Sequence, residues 1–333
     1  MNAAGRLGRA VLALAVLLAL VIALSGAPAS AGGDPAELLR RAREAANEAV
    51  LAGIVEVRWR DGDDLHVERT GARSRQGTVV VGRGEHVAVG AQGARWAADD
   101  GVATRWGHVE SAPPPGPGSS WDLELDDPAR VAGRDAHVII ARDDEGRERA
   151  RFFVDMENGL LLRRDVVDDD GTLERSVRYA RLTADGVSPA VPPVPDRGKG
   201  PVVTDDVGAR FVAPTRLEPG FELLGRYRHP DGTVQLFYAD GLFSLSIFQQ
   251  PGLVDWDALP PGGRRVFVDG ERGSAYSTPA GTVVVWELDD LVVTGVSDAP
   301  SDVAQEAIAA LDGDDGGPLA DVVDYVLGPF GWE

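Results

Sequence analysis

Residues 136–181 read AHVIIARDDEGRERARFFVDMENGLLLRRDVVDDDGTLERSVRYAR. Four apolar-rich runs are separated by Asp143-Asp144-Glu145-Gly146, Glu157-Asn158-Gly159 and Asp168-Asp169-Asp170-Gly171, and each separator ends in glycine. A residue free to take positive φ at the end of an acidic turn is what a tight antiparallel connection needs. The runs are therefore consecutive strands of a meander.

Toward the N-terminus the same logic extends the sheet. Ser111 to Ser120 holds four prolines and interrupts any regular element, so it is an exposed loop. Before it, Gly77–Val81 and His86–Val89 flank a turn at Gly82-Arg83-Gly84-Glu85, and shorter segments lie around Trp96 and Trp106. Val55, Val57 and Trp59 alternate with charged residues up to Asp61-Gly62, and Leu65 and Val67 continue on the return, which is a hairpin. Ahead of it, Asp34 is placed as N-cap, Pro35 at N1 and Glu37 in capping-box position. Leu38, Leu39, Ala42 and Ala46 follow at helical spacing. One helix and a long antiparallel sheet result. A curved sheet closed only by a helix leaves a concave apolar surface suited to a ligand.

Residues 1–31 carry Arg6 and Arg9, an apolar run from Ala10 to Leu24 and the small-residue site Ala29-Ser30-Ala31. This predicts a signal peptide cleaved after Ala31, the run being shorter than the roughly 20 residues that span a bilayer. The mature chain is expected outside the cytoplasmic membrane.

Toward the C-terminus, Pro189, Pro192, Pro193 and Pro195 with Gly198 and Gly200 mark a linker over 183–206. Phe211–Ala213, Phe221–Arg228, Val234–Tyr238 and Leu242–Phe248 then form a second meander, with turns at His229–Gly232 and Asp240-Gly241. Val266–Val268, Val283–Leu288 and Leu291–Val296 continue it, and Ser301–Leu311 is a short helix. The fold class is α+β. A domain over 32–182 is joined through the linker to a smaller one over 207–312, with an acidic Gly-rich tail over 313–333.

The whole chain carries 33 Lys+Arg against 53 Asp+Glu, a formal charge of −20. That sign disfavours nucleic acid and anionic membrane surfaces and favours a basic partner with salt-dependent association. Without cysteine there is no disulfide, thiolate metal site or thiol nucleophile. There is no Gly-x-Ser-x-Gly, no His-Glu-x-x-His and no phosphate-binding glycine loop. The acidic turns fail the EF-hand spacing and read as solvated hairpin turns. No enzyme chemistry, cofactor or metal is expected.

The candidate binding residues are aromatic. Trp59, Trp96, Trp106 and Phe152 fall in or near the first sheet, where core packing and ligand lining both suit them. Tyr227, Gln235, Tyr238, Asp240 and Phe248 of the second domain stand between core and partner surface.

Ala132-Gly133-Arg134, the aromatic strand Arg149–Asp155 and Asn158–Asp165 resemble the MucB/RseB proteins. So do Leu217-Glu-Pro-Gly-Phe221 and Gln235–Phe248 beyond the linker, whereas Leu51-Ala-Gly53 stands where that family has Tyr-x-Gly. The resemblance implies a large domain similar to the lipoprotein carriers LolA and LolB, a helix against a half-open antiparallel barrel, beside a smaller α+β domain. It also implies a non-enzymatic regulator that binds the extracytoplasmic part of a membrane-anchored anti-sigma factor and shields it from proteolysis. A lipid or lipoprotein in the large-domain cavity would release that hold. The alternative is a LolA-like lipid or lipoprotein carrier with no regulatory partner. The four aromatics named above are the expected cavity lining. The five residues of the second domain, four of them within the matched segment, are the expected partner contacts.

Overall fold

A computed structural model describes residues 33–46, 51–75, 78–81, 87–90, 93–97, 103–105, 121–183 and 202–311. The expected signal peptide, the loop at 111–120, Trp106, most of the linker and the tail lie outside the described residues.

Helix α1 (Pro35–Ala46) starts as its sequence predicts, with Asp34 Oδ1 accepting from the Ala36 amide at 3.2 Å. Glu37 departs from the capping-box expectation. Its carboxylate turns to Arg40 and Arg41 at 2.6 and 2.7 Å, and these guanidiniums, Arg40 first, hold it at about pKa 2. Two cations one turn away outcompete a single backbone N–H. Leu38, Leu39 and Ala42 form the buried face.

The first sheet has eleven antiparallel strands: β1 (Leu51–Asp61), β2 (Asp64–Arg75), β3 (Thr78–Val81), β4 (Val87–Gly90), β5 (Gly93–Ala97), β6 (Ala103–Arg105), β7 (Asp122–Val131), β8 (Arg134–Arg142), β9 (Glu148–Asp155), β10 (Leu161–Val167) and β11 (Leu173–Thr183). The spatial order is β6-β5-β4-β3-β2-β1-β11-β10-β9-β8-β7. Two meanders thus meet where β1 pairs with β11, and among the described residues the sheet is open, with β6 and β7 as its two edges. Gly146, Gly159 and Gly171 close the three acidic turns with φ of 76°, 72° and 78°. Strand β7 was not legible in sequence, being rich in Asp and containing Pro128. It is tolerated as an edge strand, with Pro128 inside the register shift between Asp126 and Ala129.

The second sheet contains β12 (Val202–Val203), β13 (Arg216–Leu217), β14 (Phe221–Arg228), β15 (Val234–Ala239), β16 (Ser244–Pro251), β17 (Arg264–Val268), β18 (Glu271–Thr278), β19 (Gly281–Leu288) and β20 (Leu291–Ser297). Its order is β12-β14-β15-β16-β20-β19-β18-β17, with β13 paired to β14. Three expectations are corrected here. Residues 202–203, assigned to the linker, pair with Arg228 and Tyr227. Phe211–Ala213 is irregular, because the Gln249 side-chain amide takes the place of a strand partner and bonds both Val212 N and Val212 O, at 3.0 and 2.6 Å. Strand β18, too polar and glycine-containing to stand out, is present. Helix α2 (Ser301–Ala309) packs on β17 and β19. A Cβ at Gly295 on β20 would sit 2.6 Å from Ile308, so glycine permits that close approach.

One buried cluster includes α1, the β8–β10 region and most of the second sheet, with Trp286 and Phe243 among its largest members. None of the described helices is long and apolar enough to cross a membrane.

Candidate functional site

The two sheets meet along a seam that is polar at its centre. Strands β9, β10 and β11 each supply one buried guanidinium, from Arg149, Arg164 and Arg175. Strand pairing places Phe152, Arg164 and Val177 in one row and Ala150, Val166 and Arg175 in the next, all on one face of the first sheet. Arg149 reaches the seam differently. Glu148 lies opposite Arg142 and Ala150 opposite Ala141, so Arg149 is the extra residue of a bulge, a device that re-aims a side chain.

The second sheet answers with the segment joining β20 to α2. Asp298 accepts from Arg164 with Oδ2, and with Oδ1 from Ser244 N at 2.6 Å and Ser244 Oγ at 3.1 Å. Its backbone carbonyl accepts from Arg175. Arg164 also donates to the Leu242 carbonyl at 3.2 Å, and its guanidinium lies between the rings of Phe243 and Phe152, 5.0 and 5.6 Å from their centroids. Arg149 pairs with Asp302 in the first turn of α2. Pro300 precedes that helix and gives no side-chain cap. Glu174 of β11 supplies one instead, accepting from Ser301 N at 2.9 Å and from Ser301 Oγ. A helix of one sheet layer is thus capped by a carboxylate from the other.

Burial sets the electrostatics. Burial pushes Glu174 upward against its Ser301 hydrogen bonds, and lowers Arg175 to about 10. Asp240, in the β15–β16 turn, accepts from Leu242 N and Phe243 N at 2.8 and 2.7 Å. Burial nevertheless pushes it up to about 6. Trp121 meets Phe243 edge-on, with centroids 5.2 Å apart. These groups bond mainly to one another, with Arg149 Nε and Nη1 and Arg164 Nε buried without a hydrogen-bond partner among the described residues, and none is a nucleophile beside a base. Among the described residues no group of three or more His, Asp or Glu could hold a metal ion. Such an arrangement can fix two sheets in register and transmit a disturbance of either across the seam.

Of the sequence-selected residues, Phe152 lies in this seam, buried under Arg164, and Asp240 lies in the β15–β16 turn beside it, its carboxylate held by Leu242 N and Phe243 N. Trp59 is half-buried on β1 and stacks on His66, centroids 5.1 Å apart. It shares a face with Phe152 but stands on another strand, with β11 and β10 between them. Trp96 lies on β5, with its side chain outside the described residues.

The second-domain set is divided between the faces of its sheet. Tyr227, Gln235 and Phe248 form one cross-strand row, while Tyr238 points to the other face, its hydroxyl donating to the Pro214 carbonyl at 3.0 Å. Exposures of 5%, 6%, 9% and 0% make these four side chains sheet interior rather than surface. Aromatic density in a strand marks burial first. Arg149, Arg164, Arg175, Glu174 and Asp298 were not selected. The available signal was arginine within otherwise apolar strands.

Comparison with known proteins bears out the resemblance. Residues 78–196 match the MucB/RseB N-terminal domain. The sigma-E factor regulatory protein RseB of Haemophilus influenzae is 32% identical over 133 residues, covering 36% of this chain and 41% of that protein, so the match spans less than half of the relative's length. The Pseudomonas aeruginosa MucA/MucB complex structure aligns over 84% of this chain and 98% of the other, with 21% identity and a TM-score of 0.49. A LolA superfamily protein from Nitrosomonas europaea aligns over 76% and 84%, with 8% identity and a TM-score of 0.19.

Proposed function

We propose that this MucB/RseB-like chain is an exported, non-enzymatic regulator that binds the extracytoplasmic segment of an anti-sigma factor and protects it from proteolysis. The observation that carries the reading is the MucB/RseB N-terminal domain match. It runs from β3 through the meander that supplies Arg149, Arg164 and Arg175 to the seam. The name of the Haemophilus influenzae relative, a sigma-E factor regulatory protein, supports it.

In this reading the partner bears on both sheets, and the seam keeps them in the relation that it recognises. An apolar ligand, a lipid or lipoprotein, acts on the large domain, and the seam passes its effect to the smaller one. The acid excess favours a basic partner segment and faster association at low salt.

The test is a pull-down of residues 32–333 against the outer-face segments of the host's anti-sigma factors, with mass spectrometry of captured proteins and extracted lipids. Capture of one segment, and its slower cleavage by the cognate protease when bound, is the expected result. Lipid in the eluate with every anti-sigma segment washing through overturns the reading in favour of a carrier.

A further inference from the structure

Among the described residues strand β17 is the last strand of the second sheet and pairs only with β18, so its outer row of N–H and C=O groups has no strand partner there. Val266 and Val268 face the core. Arg265 and Phe267 therefore face outward, beside Ser274 and Arg272 of β18. The loop from Trp256 to Gly263 folds over this outward face, tied by the Tyr276 hydroxyl donating to the Pro260 carbonyl at 3.1 Å. Beneath it lies a cavity of about 450 Å³ lined by Trp256, Pro260, Arg265, Arg272, Ser274 and Tyr276, among others. The Arg272 guanidinium stands 4.3 Å from the centre of the Trp256 ring.

The cavity lining carries two arginines, Arg265 and Arg272, against one carboxylate, Asp257, the reverse of the balance in the whole chain. In a chain with 53 acidic and 33 basic residues, most described arginines have carboxylate partners, including those at Glu56, Asp143, Asp155, Asp290, Asp298 and Asp302. Arg264, Arg265 and Arg272 are exposed and have none among the described residues. Charged residues on an edge strand also deter edge-to-edge aggregation. That purpose needs neither a cavity nor a guanidinium held over a tryptophan, and it does not account for Phe267 at 48% exposure.

We propose that this edge is a docking site for an extended acidic peptide, which adds as a strand to β17 and places a carboxylate side chain in the cavity between Arg265 and Arg272. Guanidiniums provide paired donors for a carboxylate, and an added strand supplies backbone affinity with side chains alternating toward the cavity. Phe267 would pack against an apolar side chain two residues away along the same face. The site goes beyond the regulatory reading, and its ligand has the opposite charge to the basic segment expected there.

The experiment uses residues 32–333 and three fluorescein-labelled synthetic twelve-residue peptides: one alternating Glu with Val or Thr, its Lys-for-Glu counterpart, and the Glu peptide N-methylated at alternate residues. Fluorescence anisotropy is expected to show saturable binding of the first alone, weakened tenfold or more in Arg265→Gln/Arg272→Gln, with the thermal midpoint of that exposed double variant unchanged. Failure of the Glu peptide to bind, equal binding of the Lys peptide, equal binding of the methylated peptide, or an unchanged Kd in the variant overturns the proposal. The probes carry no anti-sigma sequence, so failure here leaves the regulatory reading standing, and failure of the pull-down leaves this site standing.

Discussion

Arg164 of β10 and Asp298, just after β20, pair across the two sheets with side chains 3% and 0% exposed. Removing one member strands the other charge in the interior, and a broken buried pair costs about 3–5 kcal/mol. Arg164→Met should therefore destabilise the chain by about that amount, and Asp298→Asn by less, because the amide still accepts from Ser244. Urea unfolding of both single variants and the double variant tests this. A double variant less damaged than the sum of the singles identifies direct coupling between the sheets. Strict additivity would mean that the pair does not join them.

Asp240 gives the seam a pH dependence of definite sign. Its carboxyl, pushed up to about 6 by burial from an ordinary 3.8, binds its proton more tightly in the folded chain. Between about pH 4 and 6 the unfolded chain ionises first, so folding stability falls as pH rises through that window and stays lower above it. The upward shift of Glu174, also caused by burial, acts in the same direction. Asp240→Asn should flatten the decline between pH 4 and 6 and raise stability at pH 7 by about 1–3 kcal/mol. A pH series of thermal midpoints decides it, and an unchanged slope in the variant excludes Asp240 as the source.

Legibility in the sequence followed range. The turns at Gly146, Gly159 and Gly171 are local devices, so the β8–β11 meander could be read directly. The pairing of β1 with β11 joins residues such as Val57 and Val177, which no local pattern links. The seam was hidden for the same reason, since Glu174 caps a helix that begins 127 residues later. Strands β7 and β18 lacked alternation because edge position in one and glycine in the other replaced the usual apolar face. Among the expected site residues, Phe152 was placed at the seam by its strand, while Tyr238 and Gln235 were selected for a pattern that core packing also produces.

Glu56 sets the acid limit. It is buried, which alone would raise its pKa, yet hydrogen bonds from Arg69, Arg58 and Arg178 hold it at about 2. A depressed carboxyl stabilises the fold above its unfolded pKa and loses that contribution as pH falls from about 4.5 to 2. Glu56→Gln should cost about 2–3 kcal/mol at pH 7, less than a fully buried pair because its three arginines are partly solvated. The acid limb of the stability profile should become shallower in the variant. Loss of stability with no change in that limb would assign the effect of Glu56 to packing alone.

Gly53 is the retained member of Leu51-Ala-Gly53, where the resembling family has Tyr-x-Gly. A Cβ there would lie 2.4 Å from the Arg181 backbone carbonyl and 3.1 Å from the Tyr179 ring, next to the register shift at Ile54 and Val55. Backbone cannot retreat as a flexible side chain can, so Gly53→Ala should force β1 from β11 and cost about 1–3 kcal/mol. Gly171→Ala makes the useful comparison. Its φ of 78° strains an alanine by about 1–2 kcal/mol, but nothing lies within 4 Å of its Cβ. The two costs can match in a denaturation curve. Hydrogen exchange separates them: Gly53→Ala should lower protection along the β1–β11 ladder, where the two meanders join, and Gly171→Ala only near its own turn. Equal protection of the β1–β11 amides in both variants would mean that the close approach at Gly53 does not hold the halves of the sheet together.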